Sequence, residues 1–263
     1  MSFFRWSDRI GKRFLKLLDY MGGMSILFGK TVVLLVKNPG KRQHIIVQMY
    51  RIGVESLPIV FLISLFTGIV LALQSAYQMQ KVSAQLYIAS LVVLSMTREL
   101  GPVLTALIVA GRVGASITAE LGTMKVTEQI DALQTLAANP VSYLVVPRFF
   151  ALVIMLPFLT IYADAVGILG GYIIGVTKLH ITHQMYMKMT FDTLKFKDIF
   201  SGLLKSLSFA IIIAIVSCYE GMNTKGGAEG VGKATTLSVV ISFILIIITD
   251  CLFTALFYFA FSK

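Results

Sequence analysis

The sequence is poor in charged residues, histidine and cysteine, and these shortages exclude several classes of protein. Only 14% of its 263 residues are charged while 57% are hydrophobic, which is too apolar for an ordinary soluble domain. Three histidines and two cysteines, Cys218 and Cys251, form no CxxC motif and no metal-spaced cluster. No Ser/His/Asp or Cys/His set stands out, so a hydrolase is not expected.

Two motifs suggest chemistry but lack a residue that the chemistry needs. The segment 227–234, GAEGVGKA, matches GxxxxGK but has Ala234 where a P-loop needs Ser or Thr for magnesium. We expect a flexible glycine-rich loop there rather than a nucleotide-binding site. The HxxH pair His180 and His183 has no nearby cysteine or carboxylate to complete a metal site, so none is predicted.

Long apolar runs dominate the rest of the chain and predict an all-α integral membrane protein. A spanning helix needs about 20 apolar residues. The second run, 82–119, is interrupted only by Arg98, Glu99 and Arg112, and it is either one long helix or a helix broken near Gly101-Pro102. A six-span arrangement, in which 82–119 crosses twice, stays open. The predicted spans are about 56–80, 84–119, 149–177, 199–220 and 234–261.

Residues 1–54 form a basic N-terminal region that precedes the part with the long apolar runs, 55–263. Helical spacing over 3–21 predicts an amphipathic interfacial helix, or alternatively a helix packed on a partner, which Gly22-Gly23 then ends. Ten Lys or Arg against two Asp before Glu55 place the N-terminus in the cytoplasm. The net charge of +10 suits anionic lipid headgroups, since the basic residues form no nucleic-acid-binding motif.

Small residues recur at helical spacing in two places and predict close helix packing. Whether these surfaces pack within one chain or between two copies is open at this stage. One stripe holds Ala106, Ala110, Gly114 and Thr118; a second holds Gly111, Ala115 and Ala119; and two overlapping GxxxG patterns lie in 167–175.

Charged residues inside apolar runs are the strongest functional signal, because a charge in hydrocarbon costs roughly 2.5–3.5 kcal/mol. Arg98 and Glu99 are adjacent, and Lys205 is the other charge that could face an interior cavity. Apolar walls with these charges would suit an amphipathic anion such as a phospholipid, whereas the simpler interpretation is a structural ion pair. A stand-alone secondary transporter or channel using Arg98, Glu99 and Asp164 is the rival, and a membrane scaffold is a third possibility.

The segment 127–138 is amphipathic without being basic, which indicates docking on a soluble partner more than on lipid. Glu128 and Asp131 lie on one side of the predicted helix, and Asn139-Pro140 ends it. Ile130, Leu133 and Leu136 lie on the other side. An ordinary connector between two spans is the alternative.

The stretch TRELGPVLTALIVAGRVGASITAELGTMKVTEQIDAL at 97–133, followed by NPVSYLVVPRF, resembles the signature region of the MlaE permease family. The resemblance extends from about Gly53 to Phe259. It implies five transmembrane helices after an interfacial helix, in a homodimer that encloses a lipid pocket. It also implies partner ABC ATPase subunits that bind the ATP and magnesium, an MCE-domain hexamer and a small STAS-type accessory subunit.

By resemblance, the chain is a non-catalytic permease of the bacterial inner membrane that serves phospholipid transport and outer-membrane lipid asymmetry. The ATPase would dock through Glu128, Ile130, Asp131 and Leu133. At 77–79 the family often has simpler aliphatic residues, so lipid preference here is expected to differ. The implied lipid-binding residues are Leu71, Tyr77, Gln78, Met79, Val82, Arg98, Glu99 and Lys205.

Overall fold

A computed structural model describes residues 2–37, 42–80 and 87–261, and every regular element within those ranges is a helix. The prediction of an all-α membrane protein is therefore confirmed. A short 3₁₀ turn, Val54–Ser56, joins the second and third helices. The helices are α1 Ser2–Lys37, α2 Arg42–Ile52, α3 Leu57–Gln80, α4 Ile88–Val126, α5 Gln129–Thr135, α6 Val141–Thr177, α7 His183–Thr193, α8 Phe196–Met222 and α9 Gly227–Phe261.

Six stretches in the described residues are long and apolar enough to cross a membrane, so the protein is multi-pass. Five correspond to the predicted spans, and the sixth is Leu18–Lys37 within α1. Helix α4 is continuous over 39 residues, or about 58 Å at 1.5 Å per residue. The arrangement in which this stretch crosses twice is wrong, because the helix continues without a break from Ile88 to Val126.

Helix α1 runs through Gly22-Gly23, so the prediction of a break there is wrong. A Cβ on Gly23 would lie 2.3 Å from the hydroxyl oxygen of Tyr219 on α8. Close packing on α8, rather than the end of a helix, therefore explains this glycine. The Tyr20 hydroxyl also donates a hydrogen bond to the Glu220 carboxylate, which ties α1 to the end of α8.

The glycine-rich segment 227–233 is helical, which corrects the prediction of a flexible loop. It forms the first turns of α9, and the connection from α8 is limited to residues 223–226. Gly226 has a φ of +91° and Gly227 a φ of +66°, a backbone region that other residues rarely adopt. These two glycines make the sharp entry into α9.

Helices α4, α6 and α8 hold most of the core, and glycines set how closely α3 approaches α6. A Cβ on Gly68 of α3 would lie 1.9 Å from the carbonyl oxygen of Gly167, so the two backbones are in direct contact. Gly170, a turn further along α6, would similarly place a Cβ 2.4 Å from the Leu65 carbonyl oxygen. Such contact is the arrangement that small residues allow in membrane helix pairs.

The first small-residue stripe packs within the chain. Ala106, Ala110 and Thr118 are buried, and a Cβ on Gly114 would lie 2.9 Å from the Ser217 hydroxyl of α8. Thr118 donates a hydrogen bond to the Ser217 carbonyl at 3.1 Å. The second stripe is partly exposed, so the question that the sequence left open is settled for the first stripe and for the glycines of 167–175, which also pack within the chain.

Candidate functional site: a buried lysine at the π turn of α4

The site begins with an irregular turn of α4. Residues Met96–Leu100 form a π turn, and Gly101-Pro102 follow at once. Because proline has no N–H, Pro102 cannot donate the usual helix hydrogen bond to the Arg98 carbonyl. The Nζ of Lys205 on α8 donates to that carbonyl at 3.0 Å. A neighbouring helix thus satisfies the freed backbone group, as a membrane interior requires.

Gly202 places Lys205 against this turn. A Cβ on Gly202 would lie 2.3 Å from the Thr97 carbonyl oxygen and 3.3 Å from the Pro102 ring. Only glycine lets α8 approach the π turn so closely. Lys205 follows three residues later on the same face of α8, and this brings its ammonium group to the Arg98 carbonyl.

Lys205 is only 1% exposed, and all three of its N–H donors are used. Besides the Arg98 carbonyl, they bind Glu99 Oε2 at 2.6 Å and Thr254 Oγ1 at 2.8 Å. The Thr254 hydroxyl in turn donates to Glu99 Oε1 at 3.0 Å. Asp250 Oδ1 also lies 2.9 Å from the ammonium, which is therefore shared between two carboxyl groups.

Arg98 pairs with Asp198, which lies in the first turn of α8. Its Nε and Nη2 lie 2.8 Å and 2.7 Å from Asp198 Oδ1, while Asp198 Oδ2 accepts the Lys195 backbone N–H at 3.1 Å. Adjacent residues therefore form ion pairs with different partners, because Glu99 pairs with Lys205. The interpretation of Arg98 and Glu99 as one ion pair is replaced by a network across α4, α8 and α9.

These side chains line a cavity of about 380 Å³. The structure brings together three predicted residues, Arg98, Glu99 and Lys205, with others that sequence reasoning missed. Helical spacing could have found two of these on α9, because Thr254 and Tyr258 follow the intramembrane Asp250 at i+4 and i+8. The additional lining residues are Asp198, Ser201, Thr254, Phe257 and Tyr258, with Asp250 in contact with Lys205.

The other predicted lipid-binding residues lie elsewhere in the single chain. Leu71 lines an apolar groove of about 490 Å³ along α3, to which the π turn contributes Leu100. Tyr77 and Gln78 are exposed near the end of α3, and Met79 packs against a small apolar cluster around Val92. The groove lining is Leu62, Ile63, Phe66, Thr67, Val70, Leu71, Gln74 and Leu100. Val82 lies outside the described residues.

Asp164, which the rival transporter hypothesis pairs functionally with Arg98 and Glu99, lies on α6 against the end of the π turn. A Cβ on Gly101 would be 1.7 Å from Asp164 Oδ1. Within the described residues that oxygen is buried without a hydrogen-bond partner, and Asp164 forms no ion pair there with Arg98. The three residues therefore do not form one connected network.

The predicted ATPase-coupling segment is at the other end of α4, about 40 Å from Glu99 along the helix axis. Ile130 is 3% exposed and packs in the core with Leu133 at its edge, so Ile130 holds α5 to its own chain. Glu128 and Asp131 are exposed, and Asp131 pairs with Lys125 at 2.8 Å. Leu136, just after the helix, is 78% exposed.

Comparison with known proteins identifies the family. The model of the family described as Permease MlaE matches residues 45–256, which include the π turn, Lys205 and α5. The chain belongs to the MlaE permease family. It is 47% identical over 252 residues to a probable ABC transporter permease protein of Rickettsia felis, covering 96% of this chain and 97% of that one.

More distant relatives share much of the length. A probable ABC transporter permease protein of Synechocystis is 41% identical over 85% of each chain. The chloroplast protein trigalactosyldiacylglycerol 1 of Arabidopsis thaliana is 36% identical, covering 89% of this chain and 67% of its own. The MlaE permease described here is thus the non-catalytic membrane subunit of an ABC transporter, whose ATPase is a separate chain.

Proposed function

We propose that this permease moves phospholipid between the bacterial inner membrane and a periplasmic route formed by an MCE-domain protein. In that role it maintains the lipid asymmetry of the outer membrane. Energy comes from ATP and magnesium bound by the partner ATPase. This chain supplies the lipid-binding cavity and the surface through which ATPase movement reaches it.

The observation that carries the proposal is the pairing of polar and apolar surfaces at one π turn. Glu99 faces the charged cavity, whereas the next residue, Leu100, faces the apolar groove on α3. A phospholipid needs both environments, charged partners for its headgroup and apolar walls for its acyl chains. A simple ion pathway would have no use for the groove.

The two ends of α4 suit different partners. Exposed Glu128, Asp131 and Leu136 would meet the ATPase on the cytoplasmic side, where the basic N-terminus also lies. The cavity end would face the periplasm and the MCE hexamer. The exposed apolar face of α3, with Phe66 and Val70, suits a second copy of this chain in a homodimer. A STAS-type subunit would bind on the ATPase side.

Purification from native membranes in mild detergent tests the proposal. We expect mass spectrometry to find an ATPase, an MCE-domain protein and retained phospholipid with the tagged chain. A chain that carries no lipid and no ATPase, in any detergent that keeps it folded, would contradict the proposal. Lipid without MCE protein would contradict the periplasmic route alone.

The variant Glu128→Lys/Asp131→Lys tests the coupling segment. Both carboxylates are exposed, so the fold should survive while their charge reversal repels basic groups of the partner. Co-purified ATPase should fall at least about tenfold, the equivalent of one 1.4 kcal/mol step in binding. Size-exclusion chromatography checks that the variant is folded.

Asp192→Lys is the matched control. Asp192 is also an exposed carboxylate, but it lies on α7 and not on the proposed coupling segment. It should leave ATPase recovery unchanged. Equal recovery for Glu128→Lys/Asp131→Lys and the wild type would refute the assignment of α5 as the coupling helix.

A further inference from the structure

We propose that the cavity around Glu99 prefers zwitterionic phospholipids, whose headgroup carries an ammonium group beside the phosphate, over anionic phospholipids. This inference rests on the proposed transport function and adds the headgroup class to it. The sequence alone suggested an amphipathic anion such as a phospholipid and left the headgroup open.

The charge count of the cavity argues against an anionic ligand. The ion pairs at the cavity join three carboxyl groups, Glu99, Asp198 and Asp250, to two cations, Arg98 and Lys205. An additional negative charge would add repulsion in a region that water screens poorly. A headgroup that brings its own cation avoids this repulsion.

Lys205 is not available to a lipid phosphate. It is almost completely buried, and its three donors already bind Glu99, Thr254 and the Arg98 carbonyl. Taking the donor that the Arg98 carbonyl accepts would leave unpaired a backbone group that Pro102 cannot satisfy, which costs about 1–3 kcal/mol. Its role is to hold the π turn and the Glu99 carboxylate in place.

The accessible charges at the cavity have both signs. The Arg98 side chain is 53% exposed, and Asp198 occupies only its Nε and Nη2, so Nη1 can donate to a phosphate oxygen. The Glu99 side chain is 40% exposed, and carboxylate oxygens can each accept more than one hydrogen bond. Neighbouring residues thus present one cation and one anion, which complements a phosphate and an ammonium on one headgroup.

Asp250 adds a second carboxylate for the ammonium. Its side chain is 22% exposed, and its Oδ1 lies 2.9 Å from the Lys205 ammonium. Phe257 and Tyr258, about two turns further along α9, line the same cavity. Aromatic faces attract ammonium groups, so these rings favour the same headgroup.

The test measures lipid retained by the full-length chain after exchange into micelles that contain equal amounts of phosphatidylethanolamine and phosphatidylglycerol. Mass spectrometry of the washed protein should show phosphatidylethanolamine enriched about threefold, as expected of one partly exposed ion pair. In Glu99→Gln and Asp250→Asn the enrichment should fall towards one, because each removes an acceptor charge and keeps the side-chain size.

Glu120→Gln is the matched control, since Glu120 is also a paired carboxylate but lies near the cytoplasmic end of α4. It should keep the wild-type ratio. Equal retention of both lipids, or enrichment of phosphatidylglycerol, by the wild-type chain overturns this inference and leaves the phospholipid function standing. Retention of neither lipid overturns the proposed function itself. The ratio of the two lipids retained by the wild-type chain tests the inference even where a variant fails to fold.

Discussion

Replacing Lys205 with methionine is expected to lower the free energy of unfolding by about 3–5 kcal/mol, the cost of breaking a buried ion pair by removing one partner. Glu99 and Asp250 would then face each other without a cation, and the Arg98 carbonyl would lose its donor beside Pro102. Lipid transport should be lost as well, because the π turn that shapes the cavity is no longer held. Unfolding in mixed micelles, followed by circular dichroism, measures the stability change.

A triple variant, Lys205→Met/Glu99→Gln/Asp250→Asn, separates stability from function. Removing all three charges together should recover most of the lost stability, because neutral groups replacing a buried ion network are often tolerated. Transport should stay absent, since both carboxylates proposed to bind the headgroup ammonium are gone. If Lys205→Met alone were as stable as the wild type, the ion pairs of Lys205 would not contribute to stability.

Gly68→Ala is expected to have the second largest effect. The added methyl group would lie 1.9 Å from the Gly167 carbonyl oxygen, and no side-chain rotation can relieve a clash with backbone. Helices α3 and α6 would have to separate along their whole contact. We expect a loss of about 3 kcal/mol, the upper end of the usual range for overpacking. Thermal unfolding in detergent measures it.

Gly29→Ala is the control for this second prediction. Gly29 lies in α1, and a Cβ there meets nothing within 4 Å. Because alanine favours helices over glycine, this variant should be as stable as the wild type or more stable by about 0.5–1 kcal/mol. If Gly68→Ala and Gly29→Ala unfold at the same temperature, the close contact of α3 and α6 is not what stabilises the bundle.

The two proposed sites lie at opposite ends of α4. One helix carries the charged cavity near its start and the proposed coupling segment just past its end, about 40 Å apart. Two π turns, Met96–Leu100 and Ala110–Gly114, interrupt its regular hydrogen bonding between them. Irregular turns of this kind are frequent at functional sites, and here the first one displays Arg98 and Glu99.

Some features of this protein follow from local sequence. The apolar runs predict the membrane helices, since the length of an uncharged stretch decides whether it can cross a bilayer. The cost of placing charge in hydrocarbon singles out Arg98, Glu99 and Lys205, because each interrupts an apolar run. The long motif at 97–133 indicates the family. In each case the evidence lies in neighbouring residues.

Other features depend on tertiary structure. Glu99 and Lys205 are 106 residues apart, and Arg98 and Asp198 are 100 apart, so only the fold decides which charges meet. Packing also explains why α1 continues through Gly23 and why Ile130 points into the core rather than toward a partner. The sequence by itself determined which groups must be shielded from lipid. Tertiary structure decided their partners, because pairing depends on how distant helices approach one another, and this approach is set by glycines such as Gly202 whose contacts no local pattern reveals.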